Sequence, residues 1–199
     1  RILSTLAALN EQAAQIIESR GVVEKVIASA GQFDNDLKFA RNYAVFIASN
    51  ATSQQRRTNF AQLGVFAKLN TTAQKYKDDL ELGLNTCLAY TSLVTGHPEN
   101  VALFVNSEAA LHLEYLLTKF ADQPALVETI GRLLNTIISN NPESAKRLGE
   151  LGVAGWLTTL FKSFSETTDD ASLIESLKAV NNLLTSQENA AKFIDQGFV

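Results

Sequence analysis

Apolar residues in this chain recur with a long period as well as a short one. Val153, Trp156, Leu157, Leu160 and Phe161 follow the i, i+3, i+4, i+7, i+8 spacing of one helix face, and Ala110, Leu113, Leu116, Leu117 and Phe120 nearly repeat it. Ahead of the stripe that starts at Val153 lies a short segment opened by Pro142 and stopped by Gly152, with Leu148 four positions before the stop. The same phrase returns around Gly21, Gly64, Glu108 and Gly197, and the five stops are 43, 44, 44 and 45 residues apart. Ile17, Phe60, Phe104, Leu148 and Phe193, all large and apolar, stand four positions before the stops. A fixed period of this length marks a stacked repeat, so it ranks ahead of any single motif.

Punctuation predicts the elements. Three of the short segments open with Pro98-Glu-Asn100, Pro142-Glu-Ser144 and Gln187-Glu-Asn189. Proline at the first helical position loses an N–H that would be unpaired there anyway, and glutamate in the first turn opposes the helix dipole. Glycine at the stop supplies the left-handed conformation of a sharp turn. Glu108 breaks this pattern, and a local irregularity is expected there. Acidic breaks follow each second stripe at Asp34-Asn-Asp36, Lys77-Asp-Asp79, Asp122-Gln-Pro124 and Thr167-Thr-Asp-Asp170. They predict helix caps, with third helices over about 36–50, 80–94, 124–139 and 171–185.

Three helices in about 44 residues, with a glycine turn between the first two, resemble the armadillo repeat. Ala89-Tyr-Thr-Ser-Leu-Val-Thr-Gly-His-Pro-Glu-Asn100 and Ala179-Val-Asn-Asn-Leu-Leu-Thr-Ser-Gln-Glu-Asn189 are similar to that family's third-helix ending, Ala-Leu-x-Asn-Leu, and to the start of the repeat after it. The resemblance covers the whole chain and implies an all-α, right-handed superhelical solenoid of stacked three-helix repeats. HEAT-like repeats, with two helices and no glycine-turned short helix, are the alternative. One repeat domain is expected over 1–199, with repeats at about 11–53, 54–97, 98–141 and 142–186 and partial ones at 1–10 and 187–199. A repeat of this kind cannot bury its own stripe, so neighbours must share one core. The absence of methionine and the partial repeats at both ends lead us to expect a piece of a longer array, with a dimer through exposed array ends left open.

Composition narrows the function. The chain has 199 residues and a net charge of −4, against the basic excess of a nucleic-acid binder. Its second half carries seven basic and twelve acidic side chains, which would steer a basic partner. No apolar run is long enough to span a membrane. The one cysteine, Cys87, leaves no internal disulfide, so a reducing, cytoplasmic setting is expected, with the nucleus left open.

Chemistry-bearing residues are sparse. His97 and His112 lie apart with no nucleophile motif, and are read as surface or capping histidines. Cys87 and Trp156 fall among apolar residues and are read as core. Asp78-Asp79 and Asp169-Asp170 recur with the repeat and are read as caps rather than metal ligands. Arg56-Arg57 and Lys146-Arg147 are read as solvated faces. Phosphate-loop glycine motifs are absent, and neither a cofactor nor a metal is expected.

In armadillo proteins that bind peptides, the resemblance implies an asparagine near the end of each third helix that clamps an extended backbone, because an amide can donate and accept at once. The corresponding positions are Thr5, Ala48, Ser92, Thr136 and Asn182, so the ladder is broken. The tryptophan one turn earlier is replaced by Leu88, Arg132 and Lys178, which makes nuclear-localisation-peptide binding doubtful. The third helices still carry Arg41, Asn42, Asn85, Arg132, Asn135, Lys178, Asn181 and Asn182. All but Asn181 are taken as the candidate partner-binding set. The function expected is a non-enzymatic protein-interaction scaffold that binds a partner segment along the third-helix face. The alternatives are an adaptor or exchange-factor module for a small GTPase or a chaperone, and a regulatory domain of a larger protein.

Leu157→Asp is expected to unfold the repeats cooperatively, because it leaves an unpaired charge in the shared core. A circular-dichroism melt unchanged from wild type would refute the stripe assignment.

Overall fold

The structure is a computed structural model that describes residues 12, 16, 19–139, 141–163 and 170–198. Among these residues every regular element is helical. The chain divides into two compact units, residues 1–100 and 101–199. In the first lie α1 (Val22–Ser29), a 3-10 turn (Ala30–Phe33), α2 (Leu37–Asn50), α3 (Gln54–Gln62), α4 (Val65–Lys75) and α5 (Leu80–Val94). Helix α6 (Pro98–Val105) begins at the end of the first unit. The second unit holds α7 (Ala109–Lys119), α8 (Pro124–Ile138), α9 (Pro142–Glu150), α10 (Val153–Ser163), α11 (Asp170–Leu183) and α12 (Gln187–Asp195). The third helices α2, α5, α8 and α11 thus fall within two residues of their expected bounds. Ile17 and the 1–10 remnant lie outside the described residues.

The stops work as their sequence implies. Gly21, Gly64, Gly152 and Gly197 all have positive φ, between 61° and 90°. At Gly197 the reversal is closed by Phe198 N–H donating to the Phe193 carbonyl at 3.0 Å. This returns the Phe198 ring edge-on to Phe193 and Phe161, at 5.1 and 5.3 Å between centroids. Glu108 is right-handed, with φ −66°. Ser107 makes that turn instead: its hydroxyl donates to the Phe104 carbonyl and accepts from the Ala109 N–H. The caps are the later acids of their breaks. Asp36 accepts from Phe39 N–H and Asp79 from Leu82 N–H. Helix α8 has no side-chain cap at Gln123 and relies on Pro124 at its first turn.

The apolar residue ahead of each stop is the anchor. Phe60, Phe104, Leu148 and Phe193 are all buried, as are Val153, Trp156, Leu157 and Leu160 of the α10 stripe. The glutamate-asparagine phrase has a second function that its capping role does not reveal. Asn100 Nδ2 donates to the Leu93 carbonyl at 2.8 Å and to the Arg57 carbonyl, 43 residues back, at 3.2 Å. Asn189 Nδ2 donates to the Ala145 carbonyl, 44 residues back, at 3.1 Å. Both asparagines are buried, so each ties one first helix to the preceding one where water cannot compete.

Two expectations are corrected. Arg56 and Arg57 are not a solvated face. Arg56 is buried, and Arg57 Nε donates to the Ser92 carbonyl at 2.8 Å and to the Ala51 carbonyl at 3.1 Å. A guanidinium suits this place because one planar head can serve carbonyls on two chain segments. His112 is not at the surface either; it is buried on α7 with its ring stacked on Tyr115.

Within each unit two third helices lie side by side, α2 against α5 and α8 against α11. The contact needs small residues. A Cβ on Gly131 of α8 would stand 2.9 Å from the Glu175 Cβ and 3.1 Å from its carbonyl carbon on α11. Gly131→Ala is therefore expected to destabilise the fold by about 1–3 kcal/mol through overpacking, despite the better helix propensity of alanine. Chemical denaturation of the variant checks this; equal or higher stability would show that the two helices can part without cost.

Candidate binding face on the third helices

The seven candidate residues do not form one set. In the first unit, α2 and α5 bring Arg41, Asn42 and Asn85 to an open groove of about 640 Å³, with Leu37, Lys38, Val45 and Glu81 completing its wall. The additional lining residues follow from helical spacing: 38, 41, 42 and 45 share one face of α2, and 81 and 85 one face of α5. Sequence reasoning missed them because it selected polar residues one by one, whereas the groove is defined by a helix face that also carries Leu37 and Val45.

Arg41 is held in place. Its Nε donates to Asp79 Oδ1 at 2.9 Å, and a second guanidinium nitrogen reaches Glu81 at 2.6 Å. Asp79 meanwhile caps α5. The hydrogen bond from Arg41, aided by the Leu82 N–H, holds the Asp79 carboxyl below its ordinary value of 3.8 against the opposing effect of burial. Asn42 donates to the Lys38 carbonyl at 2.8 Å, so its amide nitrogen is engaged within α2. Asn85 makes no side-chain hydrogen bond among the described residues, and Lys38 makes no ion pair there.

In the second unit the candidates hold the two helices together. Asn135 of α8 donates to the Glu175 carbonyl at 3.2 Å and to its carboxylate at 3.0 Å. Asn182 donates to Asn135 Oδ1 at 3.0 Å, and Lys178 to Glu175 at 2.7 Å. The bond from Lys178 holds the Glu175 carboxyl below its ordinary range, with Asn135 adding to the effect. Arg132 pairs with Glu128 one turn away on α8. Only the Arg132 and Lys178 heads are largely exposed.

Cys87 and His97 have structural roles. Cys87 is buried and its thiol is pushed up to about 12 by that burial. His97 immediately precedes α6, where Nδ1 accepts from Asn100 N–H at 3.3 Å and Nε2 lies 2.8 Å from the Thr58 hydroxyl. It is a buried capping residue. Among the described residues no group of three or more His, Cys, Asp or Glu side chains could hold a metal ion, and no helix is long and apolar enough to cross a membrane.

A carboxylate whose pKa is depressed by folding stabilises fully above its unfolded value and loses that contribution as pH falls through its folded one. Arg41→Ala is thus expected to lower the melting temperature at pH 7, with the gap from wild type closing as pH drops below about 4. A gap that persists unchanged at pH 2 in thermal melts would mean that Arg41 acts by packing and not through Asp79.

No family model and no curated protein matches this sequence. Solved structures do. A designed armadillo repeat protein aligns over 99% of this chain and 79% of its own, at 19% identity and a TM-score of 0.80. Two engineered proteins solved by a structural genomics consortium align over 100% and 99% of this chain and 77% and 78% of theirs, at 20% and 22% identity, each with a TM-score of 0.83. At that identity the likeness is one of architecture: the chain has the all-α armadillo-type repeat fold.

Proposed function

We propose that this chain is a non-enzymatic scaffold that holds an extended segment of a partner protein on its third-helix face, with the α2–α5 groove as the seat. The observation that carries the reading is the groove itself, in which Asn85 of α5 faces Leu37, Arg41 and Val45 of α2 and has no side-chain hydrogen bond among the described residues. An extended segment presents a C=O and an N–H along one edge, and a single amide side chain can pair with both. Leu37 and Val45 supply apolar contact for alternate side chains of such a segment. Arg41, fixed by two carboxylates, acts as a rigid wall of the groove. Lys38 and Glu81 place one charge of each sign at the rim, which suits a segment of mixed charge. The non-enzymatic reading follows from how the ionisable groups are used: the carboxylates at 79 and 175, the two histidines and the thiol are engaged in caps, helix ties and core.

A scaffold of this kind is tested with peptides. Displayed peptide libraries selected on the intact chain should yield binders that share an extended core. Asn85→Ala should weaken each of them about tenfold, the equivalent of about 1.4 kcal/mol. Titration calorimetry showing unchanged affinity for every selected peptide would move the site away from this groove.

A further inference from the structure

Arg41 is held differently from Arg132 and Arg147. Each of those meets one carboxylate a single turn away on its own helix, Glu128 and Glu150. Arg41 reaches from α2 to α5 and takes two, Asp79 and Glu81. Its contact with Asp79 is bidentate, through Nε and Nη2, while Nη1 meets Glu81. Asp79 is the more hidden partner, with 17% of its side chain exposed against 60% for Glu81. Two parallel bonds to one carboxylate fix the guanidinium plane.

Those bonds do not exhaust the group. A guanidinium carries five N–H donors. Asp79 takes two and Glu81 one, so two remain, and Arg41 makes no further side-chain bond among the described residues. The side chain lines the α2–α5 groove and is 34% exposed. Beside it, Asn42 spends an amide N–H on the Lys38 carbonyl, and its Oδ1 accepts no bond among the described residues. Donors and an acceptor thus stand together on α2, as the Asn85 amide combines both on α5.

The charges decide what these groups can take. An arginine whose charge is unspent attracts carboxylates and phosphates. Arg41 already faces two carboxylates, and with Lys38 the wall holds two charges of each sign. An acidic side chain gains little there, whereas a neutral carbonyl oxygen still receives a charge-assisted bond.

We propose, resting on the α2–α5 groove as the seat of a partner segment, that Arg41 is a carbonyl-reading residue. The groove then recognises the main chain of an extended protein segment at two points, Arg41 with Asn42 on one helix and Asn85 on the other. The segment is uncharged where it crosses Arg41, and its charged side chains lie at the rim by Lys38 and Glu81. Such recognition is insensitive to salt, which reading of an acidic side chain at an exposed site is not.

The test uses peptides selected on the intact chain whose binding Asn85→Ala weakens. Their main-chain amides are replaced one at a time by esters, which removes an N–H and makes the carbonyl a poorer acceptor. Titration calorimetry should find two sensitive positions, each weakened about tenfold by the ester. Asn85→Ala should abolish the ester effect at one of them and Arg41→Lys at the other. Arg41→Lys keeps the charge opposite Asp79 but loses the planar fork, so an arginine that only staples α2 to α5 would leave both ester effects intact. Affinity should change by less than about twofold between about 0.05 and about 0.5 M salt. Asn85-dependent peptides with a single ester-sensitive position, or with two that both survive Arg41→Lys, overturn the proposal and leave the groove as the seat. Asn85-dependent peptides that share an acidic residue and weaken about tenfold in salt do the same. The absence of any Asn85-dependent binder overturns the seat and this proposal together.

Discussion

The interaction on which the rest depends is the burial of one large apolar residue ahead of each helix stop. Phe60, Phe104, Leu148 and Phe193 have 0–1% of their surface exposed, yet each sits on a helix of only eight or nine residues. A helix that short is not stable alone in water. The chain reverses after each anchor, through a left-handed glycine at 64, 152 and 197 and through Ser107 after Phe104, and the burial of the anchor depends on that reversal. Removing the turn would separate the anchor from the surface that covers it, and the caps and ties described above would then lack a framework to act on.

Much of this architecture was legible because it depends on local chemistry. Glycine at 21, 64, 152 and 197, aspartate at 36 and 79, and proline at 124 and 142 act on the residues next to them, so their consequences can be read along the chain. Even the exception at Glu108 was visible as a missing glycine. Less legible was the destination of long polar side chains. Arg57 ends on the carbonyl of Ser92, and Asn135 on the backbone of Glu175, 35 and 40 residues away. Whether such a group reaches solvent or a carbonyl depends on the spacing between repeats, which composition does not encode.

The same limit explains the uneven fate of the candidate site. Polar residues on the third helices were grouped because they share a face, and a face does not distinguish a group that is free to bind from one already bound. The structure separates them. Asn85 stands in an open groove with no side-chain hydrogen bond among the described residues, whereas Asn135 and Asn182 serve as mortar between α8 and α11. The asparagine ladder implied by family resemblance is thus replaced by two different uses of the same amide.

The joint between α9 and α12 has a consequence for how such a chain can change. Gly149 has no Cβ, and the space where one would stand is filled by Asn189, whose Oδ1 lies 1.8 Å from that point. Neither residue can be exchanged by itself without a clash at one end or an empty notch at the other. Segments that look interchangeable by length are therefore keyed in adjacent pairs. Shuffling or duplicating a segment from this region preserves the joint only if the matching notch travels with it.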